Sequence, residues 1–432
     1  MKAVILILLP LITAALFLYT MLSSKQPAKD YLLFVVYFYP LVFSPDSNYT
    51  VFQFITYVYF IYSLRNDIPL FSNSKIYVTF YFVACIFLSA LNSEFIGNSL
   101  IGIIKFLPIV IYLQILITEC SKNPQFIFRI VKGLRFTLVV SFAFLFLQLL
   151  LGVEFSLTLL DNPNISYEGI RYPGIFQDPQ KHAQYLSAFS FIVLISVPGG
   201  KNLSKINYLL FAGTVLALFL TGGRAALLGL ILGLCFIVLF SDVKVKFLGV
   251  IGMFLVAAVV ISFSEYLIVF SRGESLQESY LIRNAIWQEA YKIFFKHPYL
   301  GIGMDNYAKY VEVHAPDQFW LVNDEKVFFD HPESGYLKFL TELGIFGFLG
   351  IFVFIIVAII KGIRVFLFKV KDFNIIFLIS ALLSWFLGFY SVYSFTDTRI
   401  TILIATIVGL LYSYVAWYDK GMIIIEEKTA NK

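Results

Sequence analysis

Charge and cysteine are scarce in this 432-residue chain. Asp, Glu, Lys and Arg make up 14% of it and apolar residues 59%. A soluble globular chain carries about 25% charged and roughly 45–50% apolar residues, so a water-soluble fold is excluded. The three cysteines, Cys85, Cys120 and Cys235, lie in or beside apolar runs with no pairing or ligand spacing. That rules out a disulfide framework and a thiolate metal site, and we read all three as small buried hydrophobes. There is no HExxH, no CxxC and no Asp-rich cluster, so neither a metal nor another cofactor is expected. Internal repeats, low-complexity tracts and a separate soluble domain are also missing. The net charge of +5 comes from basic residues in short loops, so it says little about nucleic acid, and no nucleic-acid partner is expected.

What is present is hydrocarbon. Apolar runs of roughly 17–20 residues recur, enough for a helix to cross a core about 30 Å thick. Only a helix satisfies the backbone of such a run in lipid. The sequence predicts an all-α polytopic membrane protein with spans near 3–22, 31–44, 49–64, 76–92, 99–118, 134–152, 183–198, 206–221, 225–241, 246–269, 343–361, 374–393 and 400–418. The second is short and contains Pro40, so twelve to thirteen transmembrane helices are expected. The first is too long for a signal-peptide core and lacks a small-residue cleavage site, so it is read as a retained span.

The loop lysines and arginines fall on one side of this alternation. Lys25, Lys29, Arg65, Lys75, Lys122, Arg129, Lys132, Arg135, Lys201, Lys205, Lys244, Lys246, Lys361, Arg364, Lys369, Lys371, Lys420 and Lys428 share it. The other side, outside one large segment, has Arg171, Lys181 and Arg399. The positive-inside rule makes the first side cytoplasmic. Loop 153–182 and segment 270–342 are therefore expected to face outward. Three units follow: an N-terminal bundle 1–269, an exterior loop 270–342, and C-terminal spans with a cytoplasmic tail, 343–432.

Segment 270–342 is the polar exception in the chain. It holds Trp287, Trp320, His297, His314 and His331. Apolar residues at 282, 286, 290 and 293/294 follow helical spacing, so an amphipathic helix opening at Arg283 is expected along the membrane surface or over the bundle. Lys296-His-Pro-Tyr-Leu-Gly301-Ile-Gly303 reads as a helix stop and a tight turn. Residues 304–330 have no clear period and are read as an irregular flap. A second helix is expected near Glu333, running into the span from Leu343.

Arg224, Arg283 and His331 are the candidate catalytic groups. A guanidinium presents a planar fork of donors that matches phosphate and stays charged at any working pH. Two or three at a membrane boundary suit a lipid-linked diphosphate and would stabilise charge on a leaving phosphate. A neighbouring histidine would take a proton from a sugar hydroxyl. Bland readings compete: Arg224 can snorkel to headgroups, Arg283 can sit on a solvated face, and Asp330 and Glu333 can simply favour a helix N-terminus. His182, His297 and His314 are read as structural, and Glu342 as a cap or ion-pair partner. The 27 Tyr and 48 Phe are mostly packing, with some suited to sugar platforms and an interface belt.

Three patches resemble the bacterial O-antigen ligase / O-antigen polymerase superfamily: Arg171-Tyr-Pro-Gly-Ile-Phe-Gln-Asp-Pro; Thr221-Gly-Gly-Arg224-Ala-Ala; and Arg283-x-x-x-Trp287, His297-Pro-x-x-Gly-x-Gly303, His331 and Leu337–Gly344. The resemblance implies a GT-C-like glycosyltransferase that moves a glycan from an undecaprenyl-diphosphate donor, with inversion and without metal. The acceptor would be a second lipid-linked repeat unit or a lipid A core sugar, with a chain-length regulator as a further partner. It implies that Arg224 and Arg283 hold the diphosphate and His331 activates the acceptor. Arg171, Arg272, Glu333, Tyr336 and Arg399 would complete the substrate site. Pro332-Glu333 stands where many ligases have Asn, which leaves that Asn's role unsupported and tilts the reading toward a polymerase. A non-enzymatic transporter or flippase of lipid-linked glycans is the competing class. It would need charges lining a path through the spans, where Lys105 is one of few.

Overall fold

Apolar runs of this length hide their backbone in lipid by coiling, and the computed structural model shows them coiled. It describes residues 2–39, 51–66, 76–153, 155, 171–176, 178–196, 205–244, 246–247, 275–322 and 325–419. In order these form α1 (Lys2–Ser23), α2 (Pro27–Phe38), α3 (Val51–Arg65), α4 (Ile76–Leu91), α5 (Ile96–Lys122), α6 (Pro124–Leu151), α7 (Pro179–Ile192), α8 (Lys205–Thr221) and α9 (Arg224–Phe240). Then come α10 (Ser275–Lys296), α11 (Tyr307–His314), the hairpin β1 (Phe319–Val322) and β2 (Glu325–Phe328), α12 (Gly335–Phe368), α13 (Phe373–Ser391) and α14 (Thr398–Asp419). Every expected span on described residues coincides with a helix. Arg272, Pro40, loop residues 156–170 and the expected span 246–269 beyond Phe247 lie outside the described residues.

Among the described residues five helices, α5, α6, α12, α13 and α14, are long and apolar enough to cross a membrane. The outer helices turn side chains such as Tyr19, Phe80, Leu150 and Leu209 outward, as lipid-facing surfaces do. α14 is the central post, with nearly every residue from Arg399 to Val415 buried against α5, α12 and α13. Pro108 inside α5 cannot donate to the carbonyl of Ile104. Tyr57 Oη donates to that oxygen instead, at 2.7 Å, and Gln53 Nε2 donates to the next one, Lys105 O, at 3.0 Å.

Several expectations are corrected. α6 begins at Pro124, ten residues before the expected span, so Arg129, Lys132 and Arg135 ride on a helix and not in a loop. Arg129 and Lys132 face out while Phe126, Ile127, Ile130 and Leu134 are buried. Arg135 reaches the C-terminal end of α7, donating to Val193 O at 3.1 Å and to Ile195 O. These are carbonyls that a helix end leaves without partners. α7 has 14 residues, all but two of them buried. It is an internal core helix and, with the turns that follow it to Ser196, runs from one end of the bundle to the other. Residues 304–330 are not irregular: they contain α11 and an antiparallel hairpin that pairs Phe319 with Phe328. Cys85 and Cys120 are buried as expected, but Cys235 is exposed on α9.

The helix ends sort into the two sets that the charge alternation requires. At one end Trp417 Nε1 donates to Cys120 O (2.8 Å), Asn374 Nδ2 to Ser196 O (2.7 Å), and Lys369 pairs with Asp419 (2.6 Å). The opposite end gathers the C-termini of α4, α8 and α13, the N-termini of α5, α7, α9, α12 and α14, and α10, α11 and the β1–β2 hairpin.

One crossing locks segment 275–334 to the bundle. The chain from Pro298 to Gly303 runs across a break in α12 at Gly344. Ile302 N donates to Thr341 O (3.0 Å), Gly303 N to Glu342 O (2.9 Å) and Ile345 N to Pro298 O (2.8 Å). Gly344 has φ 62° and ψ −171°, a conformation essentially reserved for glycine. A Cβ there would lie 2.3 Å from the Tyr299 carbonyl. The helix stop read at Lys296–Gly303 therefore docks the polar segment onto the root of α12.

Candidate active site

The turn between α8 and α9 presents Arg224. Gly222 takes φ 66°, and a Cβ on Gly223 would fall 2.3 Å from the Ala183 side chain. Two glycines therefore let the turn lie flat on α7 and place Arg224 at the first position of α9. Gly229 and Gly233 then seat α9 against the Ser384 and Ser380 carbonyls of α13. Small residues at this spacing allow close helix contact. A cation at a helix N-terminus opposes the helix dipole. The guanidinium and the N-terminal amides of α9 thus both favour an anion at the same place.

Arg171 lies beside this turn. Its Nε donates to Thr221 O at 2.8 Å, and Tyr172 N donates to Leu220 O at 3.2 Å. Burial pulls the Arg171 guanidinium below the usual arginine range. Asp178 opposes this, while the charges of Arg224 and Arg283 add to it. Arg171 is thus close enough to both to feel their charge. Arg283, on α10, reaches Gln180 Oε1 at 3.5 Å. Gln180 is in the first turn of α7, whose N-cap is Asp178. α10 is held by Ala290 and Ile293, buried in a cluster with Tyr307, Val311 and Leu337.

His331 lies in the turn before α12, half-sunk, with 15% of its side chain exposed. Nδ1 is 2.5 Å from Asp330 Oδ1, Nε2 is 3.7 Å from Glu333 Oε1, and the ring lies 6.0 Å from that of Tyr393. Asp330 is therefore a partner of the imidazole, more than a carboxylate at a helix start. Desolvation pushes its carboxyl up, but His331, Lys338 and Lys181 outweigh this and bring it down to about 2. Glu333 has φ 52°, a left-handed conformation that costs a non-glycine residue roughly 1–3 kcal/mol and marks sites held by their surroundings. Lys181 connects the two halves: its charge reaches Asp330, and it follows Gln180, the partner of Arg283.

The other sequence candidates are placed differently. Arg399 is buried and its fork is occupied. Nε donates to Asp397 Oδ1 at 2.8 Å and Nη2 to Oδ2 at 2.5 Å. Nη1 donates to Ile175 O at 2.5 Å, and the guanidinium sits 4.4 Å over the Phe176 ring. It pins the 171–178 loop from below. Tyr336 Oη donates to Phe386 O at 2.7 Å, with its ring among Phe348, Phe352 and Phe389. His182 is buried between Ser141 Oγ (3.5 Å) and Tyr172 O (3.3 Å). His297 lies 3.3 Å from Tyr310 Oη, and His314 lies 2.8 Å from Glu94. Glu342 forms an ion pair, with Lys338. Among the described residues no group of three or more His, Cys, Asp or Glu is placed to hold a metal ion. An apolar cavity of about 90 Å³ lies within the bundle, lined by Phe82, Phe106, Gly350, Phe395 and Ala405. Phe395 packs on Tyr393, which places this cavity beneath the His331 side of the site.

The reading from sequence missed Lys338 and Asp330 as partners of this site. A signal for Lys338 existed: it sits four residues before Glu342 in a stretch otherwise apolar on every side. Such a pair faces protein and not water.

No curated protein matches the chain. Residues 209–352 match the family model described as O-antigen ligase. That segment runs from within α8 to within α12 and contains Arg224, Arg283, His331 and Glu342. The chain is thus a multi-pass membrane protein that carries an O-antigen ligase-type domain over residues 209–352.

Proposed function

We propose that this chain is an inner-membrane glycosyltransferase of GT-C-like architecture that polymerises undecaprenyl-diphosphate-linked repeat units on the periplasmic face. The observation that supports this most directly is the convergence of Arg171, Arg224 and Arg283 at the bundle end that also carries the Asp330–His331 pair. Arg224 and Arg283 hold the donor diphosphate, Arg171 adds charge, and Arg272 belongs to the same proposed set. The acceptor hydroxyl oxygen attacks the anomeric carbon as the carbon–oxygen bond to phosphate breaks, with inversion. The bonding pair leaves with the diphosphate, whose new charge the guanidinium groups stabilise. The hydroxyl proton passes to His331, with Asp330 orienting the ring and Glu333 near Nε2. The apolar cavity under Tyr393 offers a seat for isoprenoid carbon.

A ligase that transfers the same glycan to a lipid A core sugar is the second reading, and the O-antigen ligase family match favours it. Deleting the gene and running surface polysaccharide on a gel separates the two. A polymerase leaves one repeat unit on the lipid A core. A ligase leaves bare core and accumulates lipid-linked polymer. Unchanged polysaccharide would overturn both.

A further inference from the structure

We propose that Lys338 and Glu342 form a buried positioning pair that fixes the orientation of His331 through Asp330. This rests on the glycosyl-transfer reading above and deepens it. Lys338 Nζ lies 2.8 Å from Glu342 Oε1, with 6% and 4% of the two side chains exposed. The ammonium also reaches the Asp330 carbonyl at 3.4 Å and lies 5.7 Å and 5.6 Å from the ring centres of Tyr307 and Tyr393. Glu342 accepts from Tyr307 N at 3.0 Å. Two turns of α12 thereby hold, through one ion pair, the start of α11 on one side and the residue that touches the catalytic imidazole on the other.

Packing alone does not account for two charges at this depth. Apolar residues of the same volume commonly stabilise a fold as well as a buried ion pair does, or better. Charge is needed if the task is to hold a carbonyl and bias a carboxylate. Lys338 does both at Asp330, donating to its main chain and lowering its carboxyl. The groups facing the imidazole are Asp330 and Glu333 on its own turn and Tyr393 before α14, with Lys338 of α12 behind Asp330 and Tyr393 and Glu342 behind Lys338. Lys181 of α7 acts on the imidazole through Asp330. Asp305 and Glu289 act on Tyr393 and Tyr307 respectively. Lys338 is the cation of this group that also bonds to the Asp330 backbone.

A double-mutant cycle tests the proposal on the purified full chain in nanodiscs, with a lipid-linked oligosaccharide as donor and acceptor. Lys338→Met/Glu342→Gln neutralises the pair without stranding a charge. We expect a fall in kcat of about ten-fold or more with donor KM unchanged. We also expect Asp330→Asn, which should cost about 10²-fold in the wild-type background, to cost less than about 3-fold in the neutral-pair background. Coupled residues fail to add and independent ones add. The same Asp330→Asn cost in both backgrounds would overturn the proposal. If the neutral pair does not fold, Lys338→Arg serves: an intermediate Asp330→Asn cost supports the proposal, and an undiminished cost overturns it. An active wild type, an inactive His331→Ala and an additive cycle would sink this inference alone. A fully active His331→Ala would sink the functional reading itself.

Discussion

Arg283 and Arg399 are the same residue type at the same end of one bundle, and the structure uses them in opposite ways. Arg399 is buried on Asp397, which takes both arms of its fork, and on the Ile175 carbonyl. Among the described residues Arg283 and Arg171 form no ion pair. Arg283 meets the Gln180 carboxamide and Arg171 the Thr221 carbonyl, neutral acceptors that do not cancel the positive charge. A neutralised guanidinium is a structural pin, whereas one held by neutral groups keeps its charge for an anion. The 171–178 loop shows both uses, since Arg399 clamps it at Ile175 while it carries Arg171 to the open side.

Four experiments sharpen or break that contrast, taken from the largest expected effect to the smallest. His331→Ala removes the proposed base and should lower transfer about 10²–10⁴-fold with normal expression; a cell-based chain-extension assay reads it, and retained activity removes His331 from that role. Arg283→Ala should cost about 10²–10³-fold, as loss of a charge-stabilising donor does. Arg283→Lys should be nearly as damaging, because an ammonium lacks the fork; full activity in the Lys variant would reduce Arg283 to a point charge. Arg399→Gln should show the reverse pattern, with folded protein lost by about 3–5 kcal/mol as Asp397 is stranded, measured as detergent melting, while Arg283→Gln leaves the melt nearly unchanged. Equal melts for the two would erase the distinction. The smallest effect is that of EDTA, which should leave activity unchanged; loss restored by a divalent metal would overturn a guanidinium-only mechanism.

The acid side of the pH profile follows from the same site. The Asp330 carboxyl is drawn down to about 2, below the ordinary value of about 3.9. A depressed carboxylate contributes stability above its unfolded value and loses it as pH falls through the folded one. Its contribution should therefore be complete above about pH 4 and fade toward pH 2. Protonation of Asp330 therefore does not account for any activity lost above about pH 5.

Much of the fold was legible because lipid enforces a single solution. Apolar runs long enough to cross must coil, and Lys and Arg in the loops reported which ends belong together. Legibility failed where polarity and periodicity disagreed. The first turns of α6 carry Arg129, Lys132 and Arg135, which lower local hydropathy and mask a helix whose buried face, Phe126 to Leu134, is regular. α11 spans two turns and the hairpin strands four residues each, too little for a period to emerge. Within the site, Arg224 and Arg283 stood out because arginine on that side of the membrane needs a reason. Arg399 looked the same on sequence, because nothing local says that the Asp two residues before it folds back to take its charge. Asp330 was hidden by a sufficient simpler explanation, the helix dipole.

The most direct test of the central claim is binding without turnover. Wild-type chain and the Arg224→Gln, Arg283→Gln and His331→Ala variants, each in nanodiscs with EDTA, would be titrated with a polyprenyl diphosphate that carries no sugar. The account predicts tight binding to wild type, affinity weakened by about ten-fold or more in each arginine variant, each having lost a charge-assisted contact, and little change in His331→Ala. Equal affinity across all four proteins would contradict it.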